Sequence, residues 1–239
     1  MVVKSELKFI KSLQQKKYRN QHGLFVMEGK KAVEELLASQ FKVYKIFTDE
    51  LNETYFKEHG AVKIHAKDFG QISSLKNPNG VLGVFHIPKS KPLEVNDWVL
   101  ALDGVQDPGN MGTIIRLCDW YGIENIICSN TTVDCYNPKV LQATMGSIAR
   151  VSITYLNLPQ FLGDSSIPVY GTFMDGENVN NCSLPNKGIL VVGNEGSGIS
   201  QEVKQLCHKA IAIPQYGSTT AESLNVGTAT AILLNEIRK

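Results

Sequence analysis

Ile189-Leu190-Val191-Val192-Gly193-Asn194-Glu195-Gly196-Ser197-Gly198 sets an unbroken apolar run against a turn that no helix could continue. Four aliphatic residues in succession, ending on glycine, read as a strand buried on both faces. Glycines beyond the strand let the backbone fold closely around whatever lies there. Two other segments share the design. Trp98–Leu102 precedes Asp107-Pro108-Gly109-Asn110-Met111-Gly112, which runs into a helical pattern carrying Arg116. Ala210-Ile211-Ala212-Ile213-Pro214 precedes Glu222-Ser223-Leu224-Asn225-Val226-Gly227, which opens the last helix. Open α/β sheets hold ligands beyond the carboxyl ends of their strands. Three such turns in one half of the chain imply a built site.

Outward from these turns, strands and helices alternate. Strands are expected at Trp98–Leu102, Ile126–Ser129, Val151–Tyr155, Pro168–Phe173, Ile189–Gly193 and Ile211–Ile213. Helices are expected at Gly112–Tyr121, Pro138–Ala149, Gln201–His208 and Leu224–Ile237. Apolar strands alternating with helices predict a parallel sheet covered on both faces. Before Pro88-Lys89-Ser90-Lys91-Pro92, a stretch that suits neither a helix interior nor a central strand, a separate pattern runs. Strands at Leu24–Glu28, Val43–Thr48, Val62–His65 and Val81–Ile87, with a helix at Lys30–Ser39, predict a small α/β sandwich. The expected organisation is a domain over 1–90, a linker over 91–96 and a second domain over 97–239.

The charge divides at the same place. Residues 1–92 hold 16 Lys and Arg against 9 Asp and Glu, a net +7, while residues 93–239 hold 8 against 14, a net −6. Lys4, Lys8, Lys11, Lys16, Lys17, Arg19, Lys30 and Lys31 crowd the first 31 residues against only Glu6 and Glu28. Most lysine runs are solvated helix faces, yet a basic patch confined to one domain is also the footprint of a phosphate backbone partner. Other classes fall away. The five cysteines form no CxxC pair and no Cys/His cluster, so neither a disulfide framework nor a metal is expected. No apolar run approaches the ~18 to 20 residues of a membrane span. The opening Met1-Val2-Val3-Lys4-Ser5-Glu6 lacks a signal-peptide core, so a cytoplasmic location is expected. GxxxxGK[ST], a dinucleotide GxGxxG and a Ser/His/Asp arrangement are all missing. Paired polar residues in the turns, Asn110 with Arg116, Asn194 with Glu195 and Ser223 with Asn225, suit a hydrogen-bonding site better than a hydrolytic one.

At Asn110-x-Gly112-x-x-x-Arg116, Gly193-Asn194-Glu195-Gly196-x-Gly198 and Ser223-Leu224-Asn225-Val226 the chain resembles the SpoU/TrmH branch of the SPOUT RNA 2′-O-methyltransferases, in motif order and spacing. Lys17-x-Arg19-x-x-x-Gly23-Leu24-Phe25-Val26-x-Glu28-Gly29 and Asn79-Gly80-Val81-Leu82-Gly83 are similar to the ribosomal-protein-like RNA-binding domain of many members. One departure is Gly227-Thr228, where many relatives carry Ser-Val; a small residue is kept for helix packing.

The resemblance implies a parallel-sheet domain with a trefoil knot that binds S-adenosylmethionine, and a homodimer paired through that domain. By resemblance, Thr172, Gly193, Asn194, Glu195, Gly198, Ile213, Ser223, Leu224 and Asn225 would hold the cofactor. Asn110, Arg116, Glu195, Ser223 and Asn225 would form the catalytic site, and Lys16, Lys17, Arg19, Lys30 and Arg116 would meet RNA. An arginine has a pKa above about 12 and seldom yields its proton. Arg116 is therefore expected to hold the target phosphate and lower the effective pKa of the ribose hydroxyl rather than act as a base, with Asn110 orienting it or the ribose. Ser223 and Asn225 are also good helix caps. Ribosomal RNA is the expected substrate, transfer RNA the runner-up. A non-catalytic RNA-binding protein on the same fold is the alternative, marked by RNA binding without cofactor binding.

Overall fold

The computed structural model describes residues 3–89, 93, 95–217 and 223–239. Contacts within it resolve into two compact units, Met1–Ser90 with Asp134–Ala149, and Lys91–Val133 with Arg150–Lys239. The proline-bounded linker falls partly on residues 90–92 and 94, outside the described residues.

The first unit opens with α1 (Lys4–Ser12) and α2 (Lys16–His22), where the sequence shows only a basic run. Leu7, Ile10 and Leu13 turn inward at three-residue spacing, leaving Lys4, Lys8 and Lys11 exposed, which is the pattern of an amphipathic helix. Gly23, at φ 62°, ends α2 in the left-handed region that costs glycine nothing. There follow β1 (Leu24–Glu28), α3 (Lys30–Leu37), β2 (Val43–Thr48), β3 (Val62–Lys63), α4 (Ala66–Ile72) and β4 (Val81–His86). The sheet order is β1-β4-β2-β3, antiparallel except for β2 with β3. Alternation along β1 sends Leu24 and Val26 into one core cluster with Leu7, Ile10, Phe47 and Phe69. Phe25, between them, packs with Phe85 at 5.9 Å and Tyr136 at 4.6 Å. Each such fully buried side chain contributes ~1.5–3 kcal/mol.

In the second unit β5 (Val99–Asp103) leads to α5 (Pro108–Tyr121) and β6 (Asn125–Ser129). Residues Asp134–Ala149, which the sequence reading sets within the second domain, cluster with the first unit. They carry α6 (Pro138–Thr144) and a 3-10 turn at Ser147–Ala149. A single helix is expected there, but Met145 (φ 52°) and Gly146 (φ 96°) break it. A Cβ on Gly146 would lie 2.9 Å from Cγ of Glu35, so glycine is what lets this turn lie against α3.

The same segment corrects the role expected of Arg19. Its side chain is 2% exposed, with Nε and Nη2 donating to Asp134 at 3.2 and 2.5 Å and Nη1 donating to the carbonyls of Leu13 and Gln14. A guanidinium enclosed in this way is a structural clamp, not a contact for RNA.

The chain returns as β7 (Ser152–Leu156), α7 (Leu158–Gly163), β8 (Val169–Asn178), β9 (Ile189–Gly193), α8 (Gln201–Lys204), β10 (Lys209–Ala212) and α9 (Val226–Ile237). All pairings in the six-stranded sheet are parallel, in the order β10-β8-β9-β5-β6-β7. The sequence therefore foresees the parallel α/β layer, with α7 added. The strand order reverses at β5: β6 and β7 extend one way, while β9, β8 and β10 lie on the other side. Asp103 at the end of β5 pairs with Gly193 at the end of β9, so two of the three turns leave the sheet side by side. The knot implied by the resemblance concerns the passage from β10 to α9, of which residues 218–222 lie outside the described residues.

Candidate active site

The first turn is fixed at its root. Gly104, at φ 77°, donates its N–H to the hydroxyls of Ser129 (3.0 Å) and Thr132 (3.2 Å). The carboxylate of Asp107 accepts from the backbone N–H of Asn110 at 2.8 Å and caps α5, with Pro108 in the first turn. Aspartate at the cap followed by proline is a favoured helix start, because the proline lacks an N–H that would be orphaned there. The sequence reading begins this helix at Gly112; Asp107-Pro108 is the signal that places its start at Pro108.

The second turn is tight because its glycines permit it. Asn194 and Gly198 exchange two backbone hydrogen bonds of 2.9 Å, and Gly198 sits at φ 70°. A Cβ on Gly193 would lie 2.2 Å from the carbonyl carbon of Gly198, so any side chain at 193 would force the turn open. The amide of Asn194 donates to the Gly104 carbonyl (2.7 Å) and accepts from the N–H groups of Gly196 and Ser197, which ties the second turn to the first. Asp103, mostly buried, accepts from the Ser200 N–H at 2.8 Å.

Glu195 then reaches across. Its carboxylate accepts from the backbone N–H groups of Gln106 (3.2 Å) and Asp107 (3.1 Å) and from Nδ2 of Asn110 (2.9 Å). Desolvation alone would raise its pKa. The Asn110 amide and the backbone N–H groups of Glu195, Gln106 and Asp107 outweigh it and hold the pKa below the ordinary glutamate value. The chain of bonds continues into the third turn: Nδ2 of Asn225 donates to Oδ1 of Asn110 at 2.9 Å. Oδ1 of Asn225 caps α9 by accepting from the N–H groups of Gly227 (2.9 Å) and Thr228 (3.3 Å). Glu195, Asn110 and Asn225, drawn from three separate motifs, thus form one continuous hydrogen-bonded string. Helices α5 and α9 meet closely beside it, since a Cβ on Gly227 would lie 3.3 Å from Cγ2 of Thr113.

The remaining expected residues do not join this string. Thr172 is half-buried, one residue beyond the pairing of Gly171 in β8 with Val191 in β9. Ile213, half-buried, follows β10, the neighbour of β8. Ser223 and Leu224 lie at the surface just before α9. Arg116 is exposed and makes no hydrogen bond or ion pair to any described residue. Trp120, also on α5, is 84% exposed. With Thr113 and Arg116 it forms one exposed stripe at three- and four-residue spacing. Lys16, Lys17 and Lys30 are exposed on the first unit, and Nζ of Lys30 sits 3.5 Å from the ring centroid of Tyr55. Among the described residues no cluster of His, Cys, Asp or Glu could hold a metal ion, and the five cysteines form no disulfide.

Comparisons with known proteins agree in both halves. Residues 97–235 match the SpoU rRNA Methylase family, and residues 4–83 match the MRM3-like substrate binding domain. The chain is 33% identical to the 23S rRNA (guanosine(2553)-2′-O)-methyltransferase RlmP of Bacillus subtilis, over 95% of this chain and 94% of that protein. It is 30% identical to the 23S rRNA (guanosine-2′-O-)-methyltransferase RlmB of Neisseria meningitidis, over 90% and 86% of the two chains. Among solved structures, a putative RNA methyltransferase of the TrmH family from Porphyromonas gingivalis superposes with a TM-score of 0.91 at 37% identity, covering 100% and 98% of the chains. The AdoMet-bound rRNA methyltransferase from Sinorhizobium meliloti does so with 0.88 at 29% identity, covering 100% and 95%.

Proposed function

Because the chain belongs to the SpoU rRNA methylase family, we propose that it carries the methyl group of S-adenosylmethionine to a ribose 2′-hydroxyl of ribosomal RNA. The observation that carries this reading is the Glu195–Asn110–Asn225 string, which fastens three sequence-distant turns at the carboxyl edge of the parallel sheet. The edge suits the cofactor. Neighbouring strands bring Thr172, Gly193 and Ile213 to it, and Leu224, 49% exposed, offers an apolar side chain beside the cap of α9. When bound, the cofactor supplies an electrophilic sulfonium methyl.

The residues divide the work by what their atoms still have free. Asn110 commits its carbonyl to Asn225 and an N–H to Glu195, while Asn225 commits its carbonyl to the start of α9. They and Glu195 are positioning residues that set the three turns in register before substrate arrives, which spares reorganisation during reaction. Arg116 has its guanidinium free for a phosphate and for the negative charge that develops on the 2′-oxygen as the hydroxyl proton passes to solvent. Ser223, exposed and outside the string, has its hydroxyl free for the ribose or the cofactor.

Two copies pair over Trp120, which supplies a cover for an indole otherwise 84% exposed. On this reading Trp120→Glu yields a monomer in sedimentation equilibrium and loses methyl transfer. A monomeric wild type would exclude it.

The test of the function is methyl transfer from tritiated S-adenosylmethionine to unmodified ribosomal and transfer RNA, followed by nucleoside analysis. Label in a 2′-O-methylnucleoside of ribosomal RNA is expected. Label confined to transfer RNA would move the substrate class. Tight RNA binding with no calorimetric signal for the cofactor would reduce the protein to a binding module.

A further inference from the structure

Resting on the reading of an RNA substrate, we infer that the first unit holds unpaired RNA bases on a ring platform built from Phe9, His22, Tyr44 and His86, at positions other than the lysines singled out in the sequence. The rings form a chain. Phe9 and His22 lie 4.9 Å apart at 85°, Phe9 and Tyr44 6.4 Å at 64°, and Tyr44 and His86 6.0 Å at 75°. They come from α1, α2, β2 and β4, and backbone bonds hold the strand ends together: the N–H of His86 donates to the Lys42 carbonyl and that of Ile87 to the Gly23 carbonyl, at 2.9 and 2.8 Å.

Tyr44 is presented by a defect in the sheet. Val43 pairs with Phe85 and Lys45 with Val84, so Tyr44 is the extra residue of a bulge in β2. Bulges re-aim side chains and recur where a surface is used. Here the bulge leaves Tyr44 49% exposed and Val43 37% exposed, whereas Ile46, Phe47 and Thr48 further along the strand are buried. Isolated exposed apolar residues need no explanation. Four linked rings at one end of a small sheet do.

Charge selects the occupant. Lys8, next to Phe9 in the chain, and Lys42, whose carbonyl accepts from the His86 N–H, are exposed and without an ion pair among the described residues, and the carboxylate of Glu6 is already paired with Lys45. The platform therefore offers ring surface on elements that also carry exposed lysines, within a stretch of net charge +7. Bases stack on aromatic and histidine rings while lysines meet the phosphates between them. A continuous A-form duplex keeps its base faces hidden in the stack, so the platform fits loops, bulges or ends of folded RNA.

The experiment is fluorescence anisotropy of the full chain with a labelled single-stranded RNA and a labelled RNA hairpin of the same length, at fixed salt. Tyr44→Ala is expected to weaken single-strand binding roughly tenfold or more. Tyr44→Phe should stay near the wild type, and Lys42→Glu should weaken binding with a reduced salt slope. Leu51→Ala, a 91% exposed apolar residue elsewhere in the unit, should leave affinity unchanged. Unaltered binding by both Tyr44→Ala and Lys42→Glu would overturn the inference, as would an equal loss in Leu51→Ala or stronger hairpin-stem than single-strand dependence on Tyr44. Lys42→Glu, at an exposed position, decides the matter should Tyr44→Ala fail to fold. A wild type that methylates RNA while Tyr44→Ala and Lys42→Glu bind normally refutes the platform alone. A wild type that neither binds nor methylates RNA refutes the substrate reading itself.

Discussion

At the scale of single residues, the site separates groups that are free from groups that are spent. Arg116 is free, and its partnerless guanidinium has no structural duty among the described residues. Arg116→Ala should therefore abolish methyl transfer while leaving cofactor binding by calorimetry and the melting temperature close to wild type. Retained turnover would remove it from the mechanism. Glu195 is spent, accepting three hydrogen bonds as a carboxylate. Glu195→Gln turns an N–H group toward donors and displaces Asn110, and a misplacement of about 1 Å costs roughly 100-fold in rate. Its titration has a definite sign. A depressed carboxylate pKa stabilises the fold fully above the unfolded value of about 4.3, and that contribution is lost as pH falls through the lower folded value. Thermal melts between neutral pH and about pH 3 should show a small acid-side loss in the wild type that Glu195→Gln lacks. The loss is small because the side chain is exposed and screened. These residues were legible as motif positions; that they bind one another, and leave Arg116 alone, was not, since spacing along a chain does not reveal which turns meet.

At the scale of elements, apolar runs announce strands directly, and those at Leu24–Glu28, Val43–Thr48 and Ile189–Gly193 have the expected bounds. Helices hide more easily. In α1 the inward Leu7 and Ile10 are masked by Lys4, Lys8 and Lys11, and α7 spans only Leu158–Gly163, too short for a period to show. The long C-terminal helix illustrates how an element and a site share one residue. Asn225 caps α9 through Oδ1 and holds Asn110 through Nδ2. Two substitutions pull these duties apart. Asn225→Asp keeps an acceptor for the helix, since aspartate and asparagine cap equally well, but loses the donor to Asn110 and sets a second carboxylate in the string. It should melt near the wild-type temperature and lose activity. Asn225→Ala gives up both, at about 1 kcal/mol of stability for the cap. Denaturant titrations read beside turnover distinguish the cases, and equal destabilisation of the two variants would contradict the assignment of Oδ1 to the cap.

At the scale of the whole molecule, the charge break near residue 92 marks a real change in the chain, yet a boundary drawn along the sequence misses the return of Asp134–Ala149 to the first unit. One tie that holds it there is Arg19, which reads in the sequence as one more cation of the basic run. Only a partner 115 residues away makes its burial tolerable, because a guanidinium out of water needs both a counter-charge and acceptors for its remaining donors. Asp134 supplies the first, and the carbonyls of Leu13 and Gln14 supply the second. Removing one side of such a pair is worse than removing both. Arg19→Met leaves the mostly buried Asp134 without its cation and two carbonyls without donors, and should cost about 3–5 kcal/mol in chemical denaturation. Asp134→Leu in the same background removes the stranded charge and should recover part of that loss, a coupling that a double-mutant cycle measures directly. RNA affinity is the discriminating second readout. An arginine that met phosphate would weaken RNA binding and lower its salt slope by about one on substitution, without unsettling the fold. An arginine that clamps Asp134 shifts the unfolding midpoint and leaves the salt slope of the folded protein as it was.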